Sequence, residues 1–311
     1  MTDLVSVVLP TRDRAEDVVR AATSVLSQDL EALELVVVND SSTDDTARVL
    51  DELAGRDDRV HVVETEAPLG PCEARNRGLA VARGEIVGFC DDDDRWLPGI
   101  GSALTAFLDA RPELAMVSSW HVVEHAATGR SAVFRGPLRF GTEALLWQNV
   151  VGLPFALIRR GALSFEVGFD PALPTGEDWD LFLRCAQERP VCTVPHVGYL
   201  YTQHGGTRVT RSADAQAVGR RGFLAKHGAA MSSACRLYHQ AVLAGYDGGR
   251  PAMAGALRAG AVSHPVGAGC AALVLAASLG AHRVGQRRGD PGLQARVMAR
   301  LVSPRGAPRG R

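Results

Sequence analysis

Four consecutive aspartates, Asp91 to Asp94, close an apolar run, Ile86-Val87-Gly88-Phe89-Cys90. A buried strand that ends in a row of carboxylates gathers like charges at a sheet edge. Two unit charges 4 Å apart repel by roughly 4 kcal/mol at an effective dielectric near 20. A divalent cation relieves that repulsion, and hard cations such as magnesium take oxygen ligands and bridge substrate phosphates. The competing reading is a solvated acidic turn. Because the run directly follows a strand in a βα-patterned chain, where ligands collect at strand carboxyl ends, the metal site is favoured.

Four other groupings could carry chemistry. Val36-Val37-Val38-Asn39-Asp40 is a strand ending in an acid, ahead of a small polar loop, Ser41 to Asp44. Asp40 could accept hydrogen bonds from a ribose or a base edge, or could cap the next helix. Gly70-Pro71-Cys72-Glu73-Ala74-Arg75-Asn76-Arg77-Gly78 brings a glycine loop into a helix N-terminus, an anion-binding arrangement. Arg75 or Arg77 could pair with phosphate oxygens there, or could lie on an ordinary amphipathic surface. Thr175-Gly176-Glu177-Asp178-Trp179-Asp180 opens a helix; Asp178 is either a general base or the acid of a capping box with Thr175. His204, in Gln203-His204-Gly205-Gly206, is a surface histidine or a metal ligand. No G-x-x-x-x-G-K-[ST] loop and no G-x-G-x-x-G after the first strand is present, which argues against a P-loop or a dinucleotide reader.

These residues need a scaffold. Leu4 to Pro10, Leu33 to Asn39, Val60 to Val63 and Ile86 to Cys90 read as buried strands. Between them, helical spacing covers Asp17 to Gln28, a helix opens at Ser42-x-x-Asp45, and Pro71 to Arg83 is helical with Gly84 as its stop. The βαβαβαβ order predicts an α/β fold, a parallel sheet with helices on both faces. Further on, Leu104 to Arg111 is a predicted helix, Met116 to Val123 a strand, Thr128-Gly129 a turn back into Ser131 to Phe134, and Pro154 to Arg159 another strand. Asp178 to Glu188 is a helix with Leu181, Phe182 and Cys185 inward, and Val191 to Gln203 is extended.

Beyond Asp214 the chain is helical in pattern and rich in alanine, glycine and arginine. Val266 to Ala281 is an apolar stretch shorter than the ~20 residues needed to span a bilayer. It reads first as a packed helix; a membrane-surface helix is the alternative, which the arginines after it would suit. The expected division is a catalytic domain over 1–212, a helical region over 213–302 and a disordered tail over 303–311.

With 311 residues and 46% hydrophobic content the chain can bury a full core. A net charge of -1 argues against bulk nucleic-acid binding. Six cysteines without a C-x-x-C pair exclude a zinc framework and a disulfide-dense secreted domain. The N-terminus lacks the basic region of a signal peptide, so a cytoplasmic location is expected. Lys226 is the only lysine, a bias from which no chemistry is drawn.

Together the segments resemble the glycosyltransferase family 2 catalytic domain. The resemblance runs through Ser6-Val7-Val8-Leu9-Pro10-Thr11-Arg12-Asp13-Arg14, Val37 to Asp44, Ala74 to Ala80, Gly84 to Asp94, Gly168-Phe169-Asp170 and Gly176 to Arg184, and covers about residues 4 to 210. It implies a GT-A-like three-layer α/β/α sandwich with a mostly parallel central sheet, here with a helical C-terminal extension. It also implies a nucleotide-diphospho-sugar donor and a glycan or lipid-linked acceptor, in cell-surface polysaccharide or glycolipid synthesis, with peripheral contact at the cytoplasmic membrane face. Thr11, Arg12, Asp40, Arg75 and Asp92 would hold the donor. Asp91-x-Asp93 resembles the family's DxD, with a divalent cation (magnesium or manganese) on Asp91 and Asp93. His204 resembles a late histidine that some members add to the metal. Asp178 matches the family's base, and members invert configuration in one displacement. A non-catalytic nucleotide-sugar binding module, or a metal-dependent phosphohydrolase or nucleotidyltransferase, are the alternatives. The region after Asp214 resembles nothing nameable.

Overall fold

The computed structural model describes residues 3–151, 156–162, 168–203, 212–263 and 271–276. Contacts divide the chain into two compact units. One comprises residues 1–134, 152–171 and 184–206, and the other comprises residues 135–151, 172–183 and 207–311.

The first unit opens with the predicted alternation: β1 (Val5–Thr11), α1 (Ala15–Leu26), β2 (Leu33–Asn39), α2 (Thr46–Ala54), β3 (Val60–Glu64), α3 (Pro71–Val81) and β4 (Ile86–Phe89). There follow β5 (Arg95–Trp96), α4 (Ile100–Asp109), β6 (Met116–His125) and β7 (Arg130–Phe134). The second unit interposes β8 (Arg139–Phe140) and α5 (Thr142–Trp147) before β9 (Ala156–Arg159) returns to the first. Helix α6 (Glu177–Glu188) begins in the second unit and ends in the first, which β10 (Val191–Gln203) completes.

The sheet order is β3-β2-β1-β4-β9-β6-β10-β5, with β7 alongside β6. Neighbours β3, β2, β1 and β4 run parallel, as do β6 and β10. Strand β9 is antiparallel to both β4 and β6, so the sheet is mixed at its centre and parallel at the β1–β4 end.

Strands β1 and β2 are buried along their whole length, which is what covering both faces requires. Alternate residues go to opposite layers. Val7, Leu9, Leu35 and Val37 join Val18, Ala21, Ala22 and Val25 of α1 and Leu104 and Leu108 of α4 in one core. Val8 and Val38 face α3 instead, and they do so at very short range. A Cβ placed on Gly78 would lie 2.4 Å from Val8 Cγ1 and 3.1 Å from Val38 Cγ2, so only glycine lets α3 lie this close. Each fully buried valine or leucine contributes roughly 1.5–3 kcal/mol.

One carboxylate is buried at the opposite end of the sheet from Asp91–Asp94. Glu34 sits beside Ser6 in the β1–β2 register and is almost fully buried. Its Oε1 accepts from Ser6 Oγ (2.5 Å) and Arg83 N (2.6 Å), and its Oε2 from Arg83 Nε (2.8 Å). Ser6 Oγ in turn accepts from Gly84 N (2.6 Å). Burial alone would raise the Glu34 carboxyl; the Ser6 hydroxyl and the Arg83 amide and guanidinium outweigh it and hold it below its ordinary value.

Several expected elements shift. Helix α3 ends at Val81, two residues early, because Arg83 and Gly84 direct their amides to Glu34 and Ser6. Ser42 does not open α2: its Oγ accepts from Asp13 N, and Asp44 takes the helix amide of Thr46. The expected strand over Pro154 to Arg159 is described from Ala156. Elements β5, β8 and α5 had not been expected.

In the second unit, α5 and α7 (Ala213–His227) both pack against α8 (Ser233–Ser263), which is broken at Gly248 and Gly249 ahead of Pro251. Residues 271–276 are helical; the rest of Val266–Ala281 and the tail from 277 lie outside the described residues. Among the described residues no helix is long and apolar enough to cross a membrane.

Replacing Glu34 by Gln should lower stability at pH 7 by about 1–3 kcal/mol, since the Arg83 and Ser6 partners lose an ionic acceptor. Because the folded carboxyl sits below its unfolded value, Glu34 adds stability above the unfolded pKa, and loses it as pH falls through the folded one. The gap between wild type and Glu34→Gln in urea midpoint should therefore close on acidification; a gap unchanged from pH 7 to pH 3 would contradict the assignment.

Candidate active site

The β1, β2 and β4 strands are parallel, so their carboxyl ends fall together. Thr11 ends β1, Asn39-Asp40 ends β2, and Asp91 to Asp94 follow β4. Two loop residues here adopt left-handed backbone without being glycine, Asp13 (φ 52°) and Ser41 (φ 56°). Such conformations persist only when neighbours over-determine them. Here the neighbours are each other's loops: Asp13 Oδ1 accepts from Thr43 N and Thr43 Oγ1, Asp44 Oδ2 accepts from Ala15 N, and Thr46 Oγ1 accepts from Arg14 N. The Thr43 amide, with the Thr43 hydroxyl, holds the Asp13 carboxyl below its ordinary value.

The four aspartates do not converge. Asp92 and Asp93 share one arginine, and Asp91 and Asp94 have separate counterparts. Asp91 Oδ1 accepts from Arg75 Nη2 (2.7 Å). Asp92 Oδ2 accepts from Thr11 Oγ1 (2.9 Å) and its Oδ1 from Arg14 Nη1 (2.9 Å). The same Arg14 nitrogen lies 3.1 Å from Asp93 Oδ2. Asp94, almost fully buried, accepts from Thr202 N (2.9 Å) and from the Tyr199 hydroxyl (3.5 Å). Burial pushes the Asp92 carboxyl up to about 6, even though Arg14 and Thr11 pull the other way. The Tyr199 phenol, fully enclosed and beside Asp94 and Asp91, is pushed well above its ordinary value, so it stays protonated.

Arg75 is buried on α3, over the Phe169 ring (5.4 Å), and spends its guanidinium on Asp91. Asp40 is likewise buried. Its Oδ1 accepts from Leu69 N (2.7 Å) and its Oδ2 from Gly70 N (2.8 Å). The anion that the glycine turn ahead of α3 was expected to bind is thus, in part, a carboxylate of the chain itself. Thr11 meets Asp92 directly, and Arg14 joins Asp92 to Asp93. Arg12 stands apart: it is half exposed and, among the described residues, pairs with Asp13 (3.5 Å). A cleft of about 330 Å³ is lined by Arg14, Asp17, Arg20, Asp92, Asp93, Asp94, Arg95, Ala126 and Thr202.

Among the described residues no three histidine, cysteine or acidic side chains stand close enough to form a metal cage. His204 lies outside them. The donors that are present, the Asp91 and Asp93 carboxylates, are hard oxygens at the rim of the sheet. That suits an ion such as magnesium, which takes one or two carboxylates and completes its shell with phosphates and water. These residues fit a hard divalent ion.

In the second unit, Asp178 lies in the first turn of α6 and is largely buried. Its Oδ2 accepts from Asn149 Nδ2 (2.8 Å). The Thr175 hydroxyl donates to Ala215 O (3.1 Å), an interaction that differs from the one a capping box would give it. The sequence reading missed Asn149, Arg14 and Tyr199. For Arg14 alone was there a signal, an arginine three residues after the strand-ending Thr11.

The family model described as "Glycosyl transferase family 2" matches residues 6–163. The succinoglycan biosynthesis protein ExoU of Rhizobium meliloti is 29% identical over 198 residues, 58% of this chain and 56% of that protein. Among solved structures, residues 1–349 of S. aureus TarS in complex with UDP-GlcNAc superpose with a TM-score of 0.66 at 18% identity, over 96% of this chain and 90% of that fragment. A mannosyltransferase of Pyrobaculum calidifontis, solved with GDP-Man and Mn2+, gives 0.61 at 23% identity, over 96% and 86%. The expected α/β sandwich is thus borne out as the GT-A fold of such enzymes. The family match spans the strands and loops that build the aspartate rim, and the chain belongs to glycosyltransferase family 2.

Proposed function

We propose that the protein is a metal-dependent, inverting glycosyltransferase that moves a sugar from a nucleotide-diphospho-sugar to a hydroxyl of a glycan or lipid-linked acceptor. The product would belong to a cell-surface polysaccharide or glycolipid, made on the cytoplasmic side with peripheral membrane contact. One observation carries the reading: Thr11, Arg14, Asp92 and Asp93 meet at the ends of β1 and β4, beside a cleft, in a chain of this family.

In this reading Thr11 and Asp40 flank the nucleoside, with Arg12 at the outer edge. Asp92 faces the ribose. Asp91 and Asp93, with His204 as a further ligand, would hold the divalent ion, which when bound neutralises charge growing on the departing diphosphate. Arg75 fixes the direction of the Asp91 carboxylate through its 2.7 Å contact. Asp178 accepts the proton of the acceptor hydroxyl as that oxygen attacks the anomeric carbon. The bond from that carbon to the diphosphate oxygen breaks with its electron pair going to the nucleotide, and configuration inverts. A carboxylate base must be within hydrogen-bond reach of that hydroxyl, and such bases contribute about 10²–10⁴-fold.

The reading is tested first by thermal shift with UDP-GlcNAc and GDP-mannose, each with and without Mn2+. Stabilisation by one donor that depends on the ion is expected. Asp178→Asn should keep that shift and lose turnover by about 10²–10⁴-fold; loss of the shift instead would give Asp178 a purely structural part. Asp93→Ala should remove the manganese-dependent share of the shift, and an undiminished share would take Asp93 out of the metal site. Arg75→Met should cost about 2–4 kcal/mol in urea unfolding, because it leaves Asp91 beside Asp92 without its cation.

A further inference from the structure

The first turn of α6 is held more tightly than a helix start needs to be. Asp180, two residues beyond Asp178, is fully buried. Its Oδ2 takes Lys226 Nζ at 2.9 Å, and its Oδ1 lies 2.7 Å from His227 Nε2. Removing one partner from a buried pair of this kind leaves an uncompensated charge, so the geometry is costly to disturb. Between the two aspartates, Trp179 stacks on Phe223 of α7 (3.8 Å between ring centres) and donates from Nε1 to Leu145 O at 2.5 Å. Helix α7 reaches this turn because of Gly219, where a Cβ would stand 2.2 Å from Thr175 O.

Asp178 itself is oriented by Asn149. The amide of Asn149 has a fixed sense: its Oδ1 accepts from Val151 N (3.2 Å), so its Nδ2 is the atom presented to Asp178. A donor fixed in this way sets the direction of the Asp178 carboxylate.

We infer that Asn149 and the Asp180–Lys226–His227 cluster are positioning residues for Asp178: Asn149 fixes its carboxylate, and the cluster fixes the turn that carries it. The inference rests on Asp178 being the base, as proposed above. It gives the helices after residue 212 a part in the reaction, as the wall against which the base is set.

The test compares Asn149→Asp, Asn149→Ala, Lys226→Met, Lys226→Arg and Asp178→Asn. The probes are UDP-GlcNAc and GDP-mannose with Mn2+, followed by release of UDP or GDP to water, with donor affinity by calorimetry. Asn149→Asp keeps the shape but cannot donate, and should slow release about 10- to 100-fold at unchanged donor affinity, the scale of a misplaced catalytic group. Asn149→Ala, which adds no charge, carries the same expectation should the aspartate variant fail to fold. Lys226→Met should also lower turnover and speed deuterium exchange of the amides at residues 179–182, and Lys226→Arg should restore both. Wild-type release by both Asn149 variants, with Asp178→Asn inactive, would overturn the Asn149 role alone. Lys226→Met indistinguishable from wild type in exchange and turnover would overturn the role of the cluster. Normal release by Asp178→Asn would overturn the choice of base itself, and the positioning roles with it.

Discussion

Four adjacent carboxylates at one sheet edge cannot be left facing one another, and the local architecture follows from how they are kept apart. Asp91 is drawn to Arg75 on α3, Asp92 and Asp93 to Arg14 after β1, and Asp94 to Thr202 and Tyr199 of β10. Each partner comes from a different element. The acidic loop therefore acts as a junction that ties β1, α3 and β10 to the end of β4. Repulsion within the row is converted into attraction to three separate elements.

The opposite end of the sheet solves a smaller version of the same problem. Glu34 is a lone buried carboxylate, and it is satisfied by a hydroxyl, a backbone amide and a guanidinium. Between these two polar ends, β1 and β2 are wholly apolar in their packing. The strands are thus fixed at both ends by charge and in the middle by burial, which leaves little freedom for the register that brings Thr11 beside Asp92.

The parallel half of the fold was legible because its signals are local: apolar runs of strand length, helical spacing, and punctuation by proline and glycine. The elements missed, β5, β8 and α5, are two to six residues long and too short to show a period. The aspartate row was legible as a cluster at the sheet edge, but the partner of each carboxylate was not. Arg14, Asn149 and Tyr199 act on residues 29 to 108 positions away, and no spacing rule reaches that far. The same holds for Lys226. In sequence it is an oddity of composition; in the structure it meets a buried acid 46 positions earlier. His204 and most of Val266–Ala281 lie outside the described residues.

That solitary lysine has a practical side. Lys226 is the chain's one side-chain amine, it is partly exposed, and it is engaged with Asp180. Amine-directed dyes, cross-linkers and activated surfaces can attach to this protein only there or at the α-amino terminus. A tag joined that way would neutralise the cation under a buried carboxylate, so a sample immobilised through its amines is a perturbed sample. Thiol or affinity-tag attachment leaves that ion pair alone.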